Sequence, residues 1–113
     1  MKDITILRKF EHEVHKGFKP TLPVKLNQKE VELLVLLENK PERPMHWYGH
    51  HVRLEKGSFT YLVDLLEAKE LITRVQDDED KRKRSLSLSD KGKELSLDIQ
   101  AQHHIYIDNR YSC

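Results

Sequence analysis

The chain is poor in the residues that would mark a secreted, membrane-spanning or catalytic protein. Its 113 residues include one cysteine, Cys113, so no internal disulfide can form, which fits a reducing cytoplasm. No run of about 18 apolar residues exists, so no membrane span is expected. The opening residues, MKDITIL, lack the apolar stretch of a secretory signal. Only four glycines occur and none forms a phosphate-cradling loop; no cysteine cluster or nucleophile–base pair is visible either. An enzymatic reading therefore has no residues to rest on, and no cofactor or metal is implied. Repeats, linkers and low-complexity segments are also missing. Residues 1–113 are expected to form one domain, able to bury ~65% of its unfolded surface.

What the chain has in quantity is charge. Charged residues make up 35% of it, against the ~25% usual in soluble domains. Twenty lysines and arginines nearly balance nineteen acids, leaving +1. That total counts against nucleic-acid binding, because neutralising phosphates supplies much of such affinity. The charges are segregated, however. The acidic quartet at 77–80 (DDED) abuts Lys81, Arg82, Lys83 and Arg84.

Hydrophobic spacing gives the elements. Ile4, Leu7, Phe10, Val14 and Phe18 form one helical stripe ending around Gly17 and Pro20. A second helix opens at Asn27, a good N-cap, with Glu30 completing a capping box. Its run 31–37 (VELLVLL) is apolar nearly all round, so this helix should be central. Asn39, Pro41 and Pro44 mark a loop, and Pro44 suits the first turn of a third helix over 45–53. A short turn at 55–57 precedes a fourth helix, where Phe59, Leu62, Val63 and Leu66 form a buried face. Lys56, Ser58, Thr60, Tyr61 and Asp64 occupy its other faces. Residues 71–75 and 85–88 read as two strands around a charged tip. A final helix begins at Ser89, with Asp90 at its positive end and a weaker stripe of Leu95, Ile99, Gln102 and Tyr106. The expected class is mainly α with a small β-hairpin wing. A polar-faced helix followed by a charged wing suits gripping duplex DNA in two adjacent grooves.

The element order and several spaced motifs resemble the MarR family of bacterial and archaeal winged helix-turn-helix regulators. Leu26, Asn27 and Gln28 sit where that family opens its second helix. Residues 54–67 (LEKGSFTYLVDLLE) resemble the end of its helix-turn-helix and its recognition helix. Leu71, Ile72, Thr73 and Arg74, then Asp77, then Asp80, Lys81 and Arg82, then Leu88 to Gly92 resemble its wing and next helix. The similarity covers roughly residues 26–95. In size the chain is near the staphylococcal SarA type.

This resemblance implies a homodimeric, sequence-specific transcriptional regulator, more often a repressor, acting on double-stranded DNA in the cytoplasm. Residues 1–20 and 90–113 would be dimerisation helices flanking a helix-turn-helix and wing over 26–89. Lys56, Ser58, Thr60 and Tyr61 would face the major groove or phosphates. Arg74, Lys81, Arg82 and Arg84 would serve the wing, with Arg82 in the minor groove and Asp80 orienting it. Tyr61 and Leu65 stand where relatives often carry arginines, so bidentate guanine reading is not expected there. Arg53 and Glu70 replace glycines common at two turns, where a different local geometry is expected. With about twenty residues after Gly92, the dimer interface should be reduced or built mainly from the first and last helices. The alternative is a winged-helix protein-interaction module or antagonist that does not itself read DNA.

Other constellations carry less. His46 and His50 lie one helical turn apart, beside His51, and His103 and His104 are adjacent. That spacing suits zinc but fixes no third ligand, so surface or interface histidines are expected. Cys113 is expected to be a solvated terminal thiol and not a redox sensor. Trp47 and Tyr48 could line a pocket for a small aromatic effector; the plainer expectation is Tyr48 in the core beside a partly exposed Trp47. The acidic quartet is expected to be a solvated turn.

Overall fold

The computed structural model describes residues 18–80 and 83–111, with side chains as far as Tyr106. Four helices and one hairpin follow in the order α1 (Gln28–Asn39), α2 (Met45–His51), α3 (Lys56–Ala68), β1 (Ile72–Gln76), β2 (Arg84–Leu88) and α4 (Asp90–Tyr111). The fold is mainly helical with a two-stranded antiparallel wing, as the sequence predicts. The amphipathic stripe at 4–14 lies outside the described residues. Its last member, Phe18, is buried against the rings of His103 and Tyr106 on α4.

Helix α1 is the hub. Asn27 Oδ1 accepts from the Glu30 amide at 2.8 Å, and Glu30 Oε1 accepts from the Asn27 amide at 3.0 Å, completing the expected capping box. Every residue from Glu30 to Leu37 is buried. Two of these are carboxylates, and each has a lysine partner. Lys69 Nζ sits 2.7 Å from Glu30 and also donates to the Lys25 carbonyl. Lys29 Nζ lies 3.3 Å from Glu32 and donates to the Val52 carbonyl at the end of α2. These lysines tie the hub to the ends of α3 and α2. On its other side α1 meets α4: buried Ser96 donates to the Leu34 carbonyl, and Asn39 Nδ2 to Gln100 Oε1.

Several boundaries differ from expectation by one or two residues. Helix α2 stops at His51, not residue 53, because Arg53 turns left-handed at φ 60°. The turn expected at 55–57 therefore sits earlier, and Gly57 belongs to the first turn of α3. Pro44 is the N-cap of α2, and it bridges Ser85 on β2. Ser89 is the residue before α4: its Oγ accepts from the Gly92 amide at 3.0 Å.

Both turns flanking α3 keep the glycine-type conformation without glycine, contrary to the altered geometry expected. After α2, Arg53 N–H donates to His50 and Leu54 N–H to Gly49. After α3, Glu70 N–H donates to Glu67 and Leu71 N–H to Leu66, with Glu70 at φ 61°. Each pair is a Schellman termination, whose left-handed residue is usually glycine. Side chains are tolerated because both are exposed, but the backbone is strained by about 1–2 kcal/mol at each site. Glycine would relieve that strain while adding roughly 0.5–1 kcal/mol of unfolded-state freedom. Arg53→Gly and Glu70→Gly should each raise stability by up to about 1 kcal/mol in chemical denaturation; a lower midpoint for both would contradict this account of the turns.

Candidate nucleic-acid interface

Burying Phe59, Leu62, Val63 and Leu66 of α3 leaves Lys56, Ser58, Thr60, Tyr61, Asp64 and Glu67 exposed. The outward surface divides along the helix. Its first half carries a cation, two hydroxyls and a tyrosine ring that is 59% exposed, while its second half carries two carboxylates. Thr60 Oγ1 donates to the Lys56 carbonyl at 2.8 Å, which turns the hydroxyl back onto its own helix. No side chain caps the α3 N-terminus among the described residues, so its first-turn N–H groups remain available to an anion.

The wing is set beside this surface by its register. Ile72 pairs with Leu88, Arg74 with Leu86 and Gln76 with Arg84. Cross-strand partners share a face, so Arg74 and Leu86 continue the inward face begun by buried Ile72. From that position Arg74 reaches α3. Its Nη2 lies 2.5 Å from Asp64 Oδ1, and its Nη1 contacts Glu67. The Asp64 hydrogen bond, aided by charge from both acids, raises the pKa of the guanidinium. Arg74 is thus committed to the two carboxylates of the recognition-type helix.

At the tip, Asp77 organises the turn. Its Oδ1 accepts from the amides of Glu79 at 2.8 Å and Asp80 at 3.1 Å. Backbone bonds from Asp77 N to Lys83 O and from Lys83 N to Asp80 O close the loop. Asp80 is therefore placed by backbone contacts on both sides. Lys81 and Arg82 lie outside the described residues, and so does the expected pairing of Asp80 with Arg82.

Between α2, the start of α3 and the wing runs an open cleft of about 1320 Å³. Met45, Gly49, Leu54 and Phe59, buried or half-buried, line it together with Val75. So do Arg43, Lys56, Lys83 and Arg84, against only two carboxylates, Glu42 and Asp77; Arg74 also lines it, but its charge is taken up by Asp64 and Glu67. The total of +1 therefore conceals a cationic face. Lys56, Lys83 and Arg84 form no ion pair among the described residues.

The MarR family profile matches residues 26–83, just over half the chain, a span that holds all of the cleft lining but Arg84 and Ser85. The chain belongs to the MarR family. It is 38% identical over 87 residues to the HTH-type transcriptional regulator MhqR of Bacillus subtilis strain 168, covering 77% of this chain and 60% of that protein. It is 32% identical over 96 residues to the uncharacterized HTH-type transcriptional regulator YkoM of the same strain, covering 85% of this chain and 57% of YkoM. The chain thus spans less than two thirds of the length of these two relatives. Its fold is similar to that of Streptococcus pneumoniae FabT, solved in complex with DNA. The TM-score is 0.74 at 18% identity, covering 94% of this chain and 74% of FabT.

Of the residues singled out in sequence, Lys56, Arg74 and Arg84 converge on the cleft with Thr60, while Ser58 and Tyr61 lie on the exposed surface of α3 outside its lining. Sequence reasoning missed Arg43 and Lys83. Arg43 stands before Pro44 in a loop, and its place became visible only through the bridge to Ser85, whose Oγ donates to the Arg43 carbonyl at 2.6 Å. His46 and His50 line the cleft, and His51 stacks on Trp47 at 5.0 Å. Among the described residues no three potential ligands gather for a metal. Tyr48 is fully buried, its hydroxyl donating to the Lys40 carbonyl and accepting from the Arg43 amide. Neither Trp47 nor Tyr48 lines the cleft.

The two backbone amides hold the Asp77 carboxyl below its ordinary 3.8. A depressed folded-state value means that this bond stabilises the turn fully above the unfolded pKa and is lost as pH falls through the folded one. Carbon-detected NMR should find the Asp77 midpoint below 3.8, and Glu79 and Asp80 amide shifts should titrate with it. A midpoint at or above the ordinary value would contradict the turn.

Proposed function

We propose that the chain is a DNA-binding transcriptional regulator that works as a homodimer, most simply as a repressor, on a pseudo-palindromic operator. The observation that carries this reading is the cationic cleft between the polar half of α3 and the wing. That set of charges attracts phosphates, and the exposed Ser58 hydroxyl and Tyr61 ring suit base edges, sugars and thymine methyls, while Thr60, its hydroxyl proton held by the Lys56 carbonyl, is left as an acceptor. The first half of α3 would enter the major groove. The wing, through Arg84, Lys81 and Arg82, would lie along the neighbouring minor groove, where a guanidinium is favoured by the negative potential. Asp80 would orient Arg82 in that groove.

A homodimer is supported by α4. Leu97, Ala101 and Ile105 follow one another at four-residue spacing, and all three are exposed, Leu97 by 54% and Ile105 by 58%. An apolar stripe of this kind is the face that a helix buries against a partner. Two-fold symmetry then calls for half-sites about one helical turn (~10 bp) apart.

Selection from a random duplex pool, followed by fluorescence anisotropy on the selected and scrambled duplexes at several salt concentrations, tests this. The selected sequence should be two-fold related and preferred by ~10³ or more. Log affinity should fall with log salt at a slope of about −3.6 or steeper, the value for two neutralised phosphates in each chain of the bound dimer. Equal, salt-insensitive binding to both duplexes would overturn it and favour a protein-interaction module.

A further inference from the structure

We infer that Arg74 is a positioning residue: held by Asp64 and Glu67, it fixes the angle between the wing and the recognition helix instead of contacting a phosphate. This rests on the DNA-reading function proposed above, which it deepens. The wing is rooted in the core only at its base. Leu71, Ile72 and Leu86 are buried, whereas residues 73–76 and Arg84 are exposed. Arg74 sits where the hairpin leaves the core, directly opposite Leu86.

The chemistry of the contact suits an angular constraint. A planar guanidinium offers donors in a fixed fork, and here the fork spans two carboxylates three residues apart on one helix face. Swinging the wing outward would break both contacts together. The three side chains remain partly exposed, with 32% for Arg74, 60% for Asp64 and 42% for Glu67. Exposed pairs contribute little to global stability, so the consequence is geometric.

The local charge points the same way. Two carboxylates and one guanidinium leave this part of the surface net negative, so Arg74 adds no attraction for phosphate while the clamp is closed. It instead covers two acids that face outward from the recognition helix. Attraction is left to Arg43, Lys56, Lys83 and Arg84, nearer the helix start and the wing tip.

The test uses Arg74→Ala, Arg74→Lys and the double variant Asp64→Asn/Glu67→Gln in the full chain. Without DNA, amide hydrogen exchange of residues 73–76 and 84–87 should quicken by about fivefold or more in all three, while the core of α1 is unchanged. Unchanged exchange in the outer wing would overturn the clamp whether or not the chain reads DNA.

With the duplex selected by the wild type, all three variants should lose about tenfold or more of their preference over a scrambled duplex. The double variant is the decisive one, since it removes two negative charges and yet is expected to lose discrimination. Arg74→Lys should keep the wild-type salt slope. If Arg74→Ala instead shrinks the slope by about 1.8, one phosphate lost in each chain of the dimer, and weakens both duplexes equally, Arg74 contacts a phosphate and the inference is wrong. A double variant with equal or better preference would also overturn it. A wild type that prefers no duplex would sink the proposed function alone, leaving the exchange measurement to decide the clamp.

Discussion

The contact on which the rest of the structure depends is the carbonyl of Leu71 lying against Gly92. A Cβ at position 92 would stand 2.0 Å from that oxygen, so only glycine fits there. The same carbonyl accepts from the Ser89 amide, and Ser89 Oγ joins the Glu70 carbonyl to the Gly92 amide. The end of α3, the start of β1, the end of β2 and the start of α4 thus meet at one point. Crowding such a junction costs about 1–3 kcal/mol or more, and any relief would re-aim the wing relative to α3. The left-handed Glu70 delivers the chain into this junction, which is why a strained turn persists without glycine.

From that fixed point the outward side chains acquire their directions. The buried face of α3 sets which residues face out, and the register of β1 on β2 sets Arg74 against α3. The bridge from Pro44 to Ser85 brings Arg43 to the same cleft. A near-neutral chain can in this way carry a cationic face, because its acids are spent elsewhere. Glu30 and Glu32 are buried beside lysines, Asp77 is turned onto backbone amides, and Asp64 and Glu67 are held by Arg74.

Much of the fold was legible in the residues. The capping box at Asn27, the all-round apolar run of α1, the four-residue face of α3 and the hairpin signal all depend on neighbours within a few positions. Boundaries slipped where a local rule had a competitor. Arg53 gives no glycine signal, yet it ends α2, and Gly57 looks like a turn while serving as helix. The site was less legible for a different reason. Arg74 reads as one more wing cation, and nothing at positions 64 and 67 says that two acids will face it across a strand. Lys29 and Lys69, too, look like surface charges until α1 is seen to bury their partners.

The central claim is that α3 and the wing act as one rigid reader of adjacent grooves. Hydroxyl-radical footprinting on the duplex selected by the wild-type chain tests it most directly. The expected result is, in each half-site, protection at the groove holding α3 and at the neighbouring minor groove about half a turn (~5 bp) away, with two-fold symmetry between half-sites. Protection confined to a single groove, with the flanking minor groove open to cleavage, would contradict it.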